Sequence, residues 1–175
     1  MTAPAPPRRV MATGVDAVTI ERAVTMLRRS SDLLPGRVLT WPEADWAGHD
    51  AVRLATALAA KECAIKAAGG RPPGFSWQDA VLDPALASAL DPGLHPEQQP
   101  ADLVLGQFAR DAHLDGVRRF GCTFRGATAA ALTAALRPSR SGPAAHPVHP
   151  MGAVCAGVTA GHLLAALVVW LGASW

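Results

Sequence analysis

The sequence predicts an α+β fold, and three observations carry that prediction. Residues 10–20 are apolar and β-branched around Gly14-Val15-Asp16, the pattern of a buried strand. Residues 50–68 are alanine-rich, with Leu54, Leu58 and Ile65 at helical spacing, which marks one long helix. Strand-like runs then return at 76–82 and 117–124. At 175 residues the chain has the size of one domain with tails, and half of its residues are apolar, enough for a real core.

The elements follow in order. Residues 1–9 are Pro-rich with two arginines and no apolar stretch, so they read as a disordered lead-in and not as a secretory signal. Thr19 is placed to cap a helix over 20–29. Residues 31–36 are a loop. Thr40, Pro42 and Glu43 form a helix start, with a cap, a proline in the first turn and an acid three residues on. Asp50 opens the long helix, and Gly69-Gly70 followed by Pro72-Pro73 closes it. Pro, Asp and Gln mark 83–101 as a surface loop, followed by a short helix over 106–114. Residues 117–124 and 128–136 pair as terminal strands, although the alanines of the second also suit a helix. The prolines of 137–150 mark a linker, and 151–175 is set apart as an apolar C-terminal segment.

Charge and cysteines narrow the function. Lys and Arg total 16 against 14 Asp and Glu, a balance that argues against a general nucleic-acid binder. Only two of the cations are lysines, Lys61 and Lys66, and both fall in the alanine-rich helix. Glu62 and Lys66 are four apart and share a helix face. A carboxylate beside an ammonium suits a metal-bound phosphate. The same pair also fits an exposed helical ion pair worth ~0.3–0.5 kcal/mol. Cys63, Cys122 and Cys155 are odd in number and lie in apolar contexts, as buried, reduced thiols of a cytosolic protein do. Cys63 suits packing better than nucleophilic work. His146 and His149 have no further ligands nearby for a metal site.

Residues 151–171 admit two readings. They are long enough to cross a bilayer, which takes ~20 apolar residues, and contain Gly157 and Gly161 at a helix-contact spacing, with Arg137 and Arg140 ahead of them. His162 and the many small residues favour instead a helix or strand packed on the domain.

Four blocks over about residues 12–82 resemble the holo-acyl-carrier-protein synthase type of 4′-phosphopantetheinyl transferase. They are Gly14-Val15-Asp16-Ala17-Val18 with Ile20-Glu21-Arg22; Arg37-Val38-Leu39-Thr40 with Glu43; the stretch from Leu54 through Ala59-Ala60-Lys61-Glu62-Cys63 and Lys66 to Gly69; and Gly74-Phe75-Ser76-Trp77-Gln78-Asp79. The resemblance implies a small antiparallel sheet packed on the long helix, usually in a homotrimer. It implies transfer of the 4′-phosphopantetheine arm of coenzyme A to a serine of an acyl or peptidyl carrier protein, in fatty-acid or polyketide assembly, with release of adenosine 3′,5′-bisphosphate. Asp16 and Glu62 would hold Mg²⁺, and Glu62 and Lys66 would be catalytic. Lys66, Gly69 and Gly70 would meet the co-substrate. Arg22 and Arg28, with Arg29, would face an acidic carrier.

The second half departs from the family, whose closing strands carry a Ser-x-Ser-His motif. By spacing, its counterpart falls in 116–136, on Thr123-Phe124-Arg125-Gly126, without the histidine. A rival placement over 154–169 puts Thr159 near the histidine position, with His162 close by. A repurposed or non-catalytic homologue is the alternative reading.

Overall fold

The computed structural model describes residues 11–30, 34, 36–89, 100–137 and 148–173. The lead-in at 1–9 and most of the linker lie outside them. Five helices and five strands are formed among the described residues: β1 (Met11–Thr19), α1 (Ile20–Ser30), α2 (Trp41–Ala47), α3 (Ala51–Ala67), β2 (Ala80–Ala89), α4 (Pro100–Asp111), β3 (Asp115–Phe124), α5 (Gly126–Leu136), β4 (Val148–Thr159) and β5 (His162–Ala173). The strands make one antiparallel sheet in the order β1-β5-β4-β3-β2.

Local signals set the first half. Thr19 Oγ1 accepts the Arg22 N–H at 3.2 Å, opening α1. Asp50 Oδ1 accepts the N–H groups of Val52 and Arg53 at 2.8 and 3.1 Å and starts α3. At its other end Gly69 and Gly70 adopt φ of +80° and +128°, and their N–H groups return to the carbonyls of Lys66 and Ile65.

Beyond residue 76 the expectations need correction. Residues 77–79 form a 3-10 turn, and strand β2 begins only at Ala80. It continues to Ala89, into the expected loop, with a register break between Asp83 and Ser88. Pro84 cannot donate to a ladder, and an edge strand tolerates that loss. The short helix expected over 106–114 begins at Pro100 and ends at Asp111.

Residues 126–136 are helical, not a strand: alanine propensity prevails, and Thr128, Leu132 and Leu136 bury one face at spacing four. The Asp79 carboxylate accepts the Thr128 N–H at 3.2 Å, placing a negative charge at the first turn of α5. The linker ends earlier than expected, since 148–150 already belong to β4.

The apolar segment 151–171 is a hairpin that supplies two of the three inner strands of the sheet. Among the described residues no helix is long and apolar enough to cross a membrane. Its hydrophobicity has a different cause. Val154, Ala156, Leu163, Ala165, Leu167 and Val169 pack toward α3, whereas Ala153, Cys155, Ala166 and Val168 pack with Ala101 and Leu105 of α4. Strands covered on both faces show no polar alternation.

Two features lock α3 in place. Gly14 of β1 lies against the helix backbone, and a Cβ there would stand 2.0 Å from the Cys63 carbonyl oxygen. Lys61 is 2 % exposed and donates to Glu43 Oε1 at 3.0 Å, the Ala80 carbonyl at 2.6 Å and the Trp77 carbonyl at 3.1 Å. Glu43 is itself fully buried and also accepts the Leu82 N–H at 2.9 Å. Its second oxygen takes the Thr40 N–H and hydroxyl at 2.7 and 2.9 Å. Burial lowers the Lys61 pKa, and the Glu43 carboxylate opposes that shift.

Two stability outcomes follow. Lys61→Met strands a buried carboxylate and should cost about 3–5 kcal/mol in urea unfolding, with Glu43→Gln added to it restoring part of the loss. Gly14→Ala forces β1 off α3 and should cost about 1–3 kcal/mol in the same measurement.

Candidate functional site

The site forms where β1 crosses the C-terminal half of α3. The close approach at Gly14 brings the next part of β1 beside the last turn of the helix. Lys66 Nζ donates to Asp16 Oδ1 at 2.8 Å and to the Val15 carbonyl at 2.7 Å. The lysine side chain is 52 % exposed and the aspartate 17 %, so the pair sits at a surface with its acid mostly sheltered. The hydrogen bond to Asp16 raises the Lys66 pKa, and the charges of Asp16 and Glu62 add to the rise. Two carboxylates distant in sequence therefore act on one ammonium. That ammonium also lies at the negative end of α3, which favours its charged form.

Glu62 stands one turn before Lys66 on the same face. It lines a groove of about 130 Å³ with Val18, Arg22, Met26, Val38, Leu58 and Trp77, so helices α1 and α3 form its two sides. Arg22 reaches that groove, whereas Arg28 and Arg29 are exposed in the last turn of α1. Gly69 and Gly70 form the turn directly beyond Lys66 and have open space where a Cβ would lie. Arg28 apart, the predicted residues thus gather on one flank: Asp16, Glu62 and Lys66 at its centre, Arg22 along the groove, the glycine pair at the helix end.

One residue that sequence reasoning passed over completes this flank. Arg71 places Nη2 3.9 Å from Glu62 Oε1, and its guanidinium lies over the Trp77 ring at 4.8 Å and near the Phe75 ring at 5.7 Å. The signal was the glycine pair, because two positive-φ residues turn the chain back along the helix it has just left. Lys61, which resembles Lys66 in sequence, belongs to the core.

The donor chemistry suits Mg²⁺. Among the described residues no three His, Cys, Asp or Glu side chains cluster as a metal cage. Asp16 and Glu62 are the carboxylates of this flank that could hold such an ion, which keeps waters and takes its other ligands from phosphates.

The cysteines are free and buried, as expected. Burial pushes the Cys63 thiol far up and the Cys122 and Cys155 thiols up to about 12, which leaves no thiolate at neutral pH. The expected terminal strand pair at 116–136 is a strand and a helix. Thr159 and His162 face each other at the turn of the β4–β5 hairpin, with His162 Nδ1 3.1 Å from the Ala160 carbonyl.

No family model and no curated protein sequence matches the chain. Solved structures do. A Helicobacter pylori holo-acyl-carrier-protein synthase in complex with coenzyme A is similar over 91 % of this chain and 99 % of its own, at 16 % identity and a TM-score of 0.53. A Chronobacterium ammoniagenes ACPS–CoA complex is similar over 93 % and 98 %, at 18 % identity and a TM-score of 0.53. The chain therefore has the α+β fold of the holo-acyl-carrier-protein synthases across most of its length.

Lys66 should remain protonated through neutral pH and lose its proton only above the ordinary lysine range, so the pair with Asp16 is complete below that range and fades as pH rises through it. An NMR titration of the lysine side chains should show this late midpoint, and Asp16→Asn should bring it down.

Proposed function

We propose that the chain transfers 4′-phosphopantetheine from coenzyme A to a serine of an acidic acyl or peptidyl carrier protein, in a magnesium-dependent reaction that releases adenosine 3′,5′-bisphosphate. The observation that carries this reading is the Lys66–Asp16 pair, with Glu62 one turn before Lys66 on the same helix face, on a scaffold shared with holo-acyl-carrier-protein synthases solved with coenzyme A.

In the reaction the serine oxygen bonds to the phosphorus that carries the pantetheine, and the bond from that phosphorus to the leaving bisphosphate breaks. Asp16 and Glu62 would hold the magnesium ion, which when bound supplies charge compensation for the diphosphate. Lys66 has a raised pKa, so it works as a cation aimed at the leaving phosphate and not as the base. Proton removal from the serine falls to Glu62, directly or through a water. Gly69 and Gly70 allow close backbone approach of the nucleotide. Arg22 and Arg28 would steer an acidic carrier onto α1, an effect on encounter rate more than on affinity. The working form is a homotrimer in the cytoplasm, serving fatty-acid or polyketide assembly.

A second reading takes its support from the sequence: neither 116–136 nor 154–169 contains a Ser-x-Ser-His run, and the Thr159–His162 pair at the hairpin turn does not restore it. A repurposed homologue would bind coenzyme A or a carrier without transfer.

Incubation with coenzyme A, Mg²⁺ and apo carrier proteins, followed by mass spectrometry, separates the two. Transfer adds the mass of one phosphopantetheine arm to the carrier. Asp16→Ala and Glu62→Ala should abolish the shift, and Lys66→Gln should slow it about 100-fold or more. Coenzyme A binding with no carrier modified would establish the repurposed reading.

A further inference from the structure

Arg71 lies outside the four sequence blocks, yet the fold directs it to the site. The turn at Gly69-Gly70 reverses the chain, so Arg71 meets Glu62, nine residues earlier, with its guanidinium over the Trp77 ring. The flank then holds two carboxylates and two cations in pairs, Asp16 with Lys66 and Glu62 with Arg71. A site balanced in this way attracts a divalent ion weakly on its own. An ion that arrives with a diphosphate changes the balance, because the phosphates give both side-chain cations a stronger partner than a carboxylate shared with a metal. The Arg71–Glu62 contact is long and both partners are partly exposed, so little holds it against such an exchange. The ring of Trp77 keeps the guanidinium at the rim whichever anion it serves.

We propose that Arg71 is a placeholder cation: it occupies Glu62 in the ligand-free protein and moves to the phosphates of the co-substrate when a divalent ion takes the carboxylate. This rests on the transferase reading above. Its consequence is an order of events, in which metal and diphosphate bind together and the metal alone binds poorly.

Mn²⁺ binding, read from the EPR signal of the free ion, tests the first half without any turnover. Arg71→Gln should bind Mn²⁺ alone about three- to five-fold more tightly than the parent chain. Arg71→Lys keeps the charge, loses the guanidinium fork and should fall between them. Calorimetry tests the second half: Arg71→Gln should weaken coenzyme A binding about ten-fold or more in the presence of Mg²⁺. Circular dichroism reports folding, and Arg71→Lys carries both measurements if Arg71→Gln does not fold. An unchanged Mn²⁺ affinity or an unchanged coenzyme A affinity in a folded variant overturns the exchange. If Glu62→Gln still lowers Mn²⁺ binding in that case, the transferase reading stands without it. If Glu62→Gln leaves Mn²⁺ binding intact even with coenzyme A present, the transferase reading falls and this proposal with it.

Discussion

The buried pair of Glu43 and Lys61 fixes what the rest of the molecule can do. Two charges removed from water are costly unless each finds partners, and here each does. The ammonium has Glu43 and two carbonyls, and the carboxylate has four donors. The partners come from α2, α3 and the start of β2, so one network ties three successive elements to one another. It also fixes the rotation of α3. Once Lys61 points inward, its neighbour Glu62 lies about a quarter-turn around the helix, at the edge of the core, and Lys66 shares that edge. The helix cannot turn the face that bears Glu62 and Lys66 elsewhere without exposing Lys61's socket.

Rotation alone does not make a site; the helix must also lie at the right distance from Asp16. That distance comes from Gly14, where the strand touches the helix backbone with no side chain between. One buried polar cluster and one missing methyl group thus place an acid from the sheet against an ammonium from the helix. The fold shared with the holo-acyl-carrier-protein synthases supplies the scaffold, and these contacts explain why the scaffold presents Asp16, Glu62 and Lys66 on one flank.

Much of the first half was legible in the residues because its boundaries are chemical. Thr40 with Glu43, Asp50, and Gly69-Gly70 satisfy or release backbone groups, and those signals act locally. What escaped reading depended on distant partners. Lys61 and Lys66 sit on the same alanine-rich helix, and only tertiary packing makes one a core residue and the other a surface cation. Residues 151–171 imitate a membrane span because α3 and α4 cover their strands on opposite faces. Residues 126–136 are helical by their own alanine content, and what the sequence hid is that Asp79, nearly fifty positions away, meets their first turn. Arg71 was hidden for the same reason: its role is set by a reversal of the chain, not by its neighbours.

The pairing of β1 with β5 has a temporal meaning. The strand that carries Asp16 finds its ladder partner only in residues 162–170, so it waits, unpaired and apolar, until nearly all of the intervening chain has been synthesised. Such long-range closure makes for slow assembly and a nascent chain exposed to misfolding. Asp16 is made before the other residues of the site, and its strand gains its ladder only when β5 arrives, so a chain stalled before β5 would carry Asp16 on an unpaired strand.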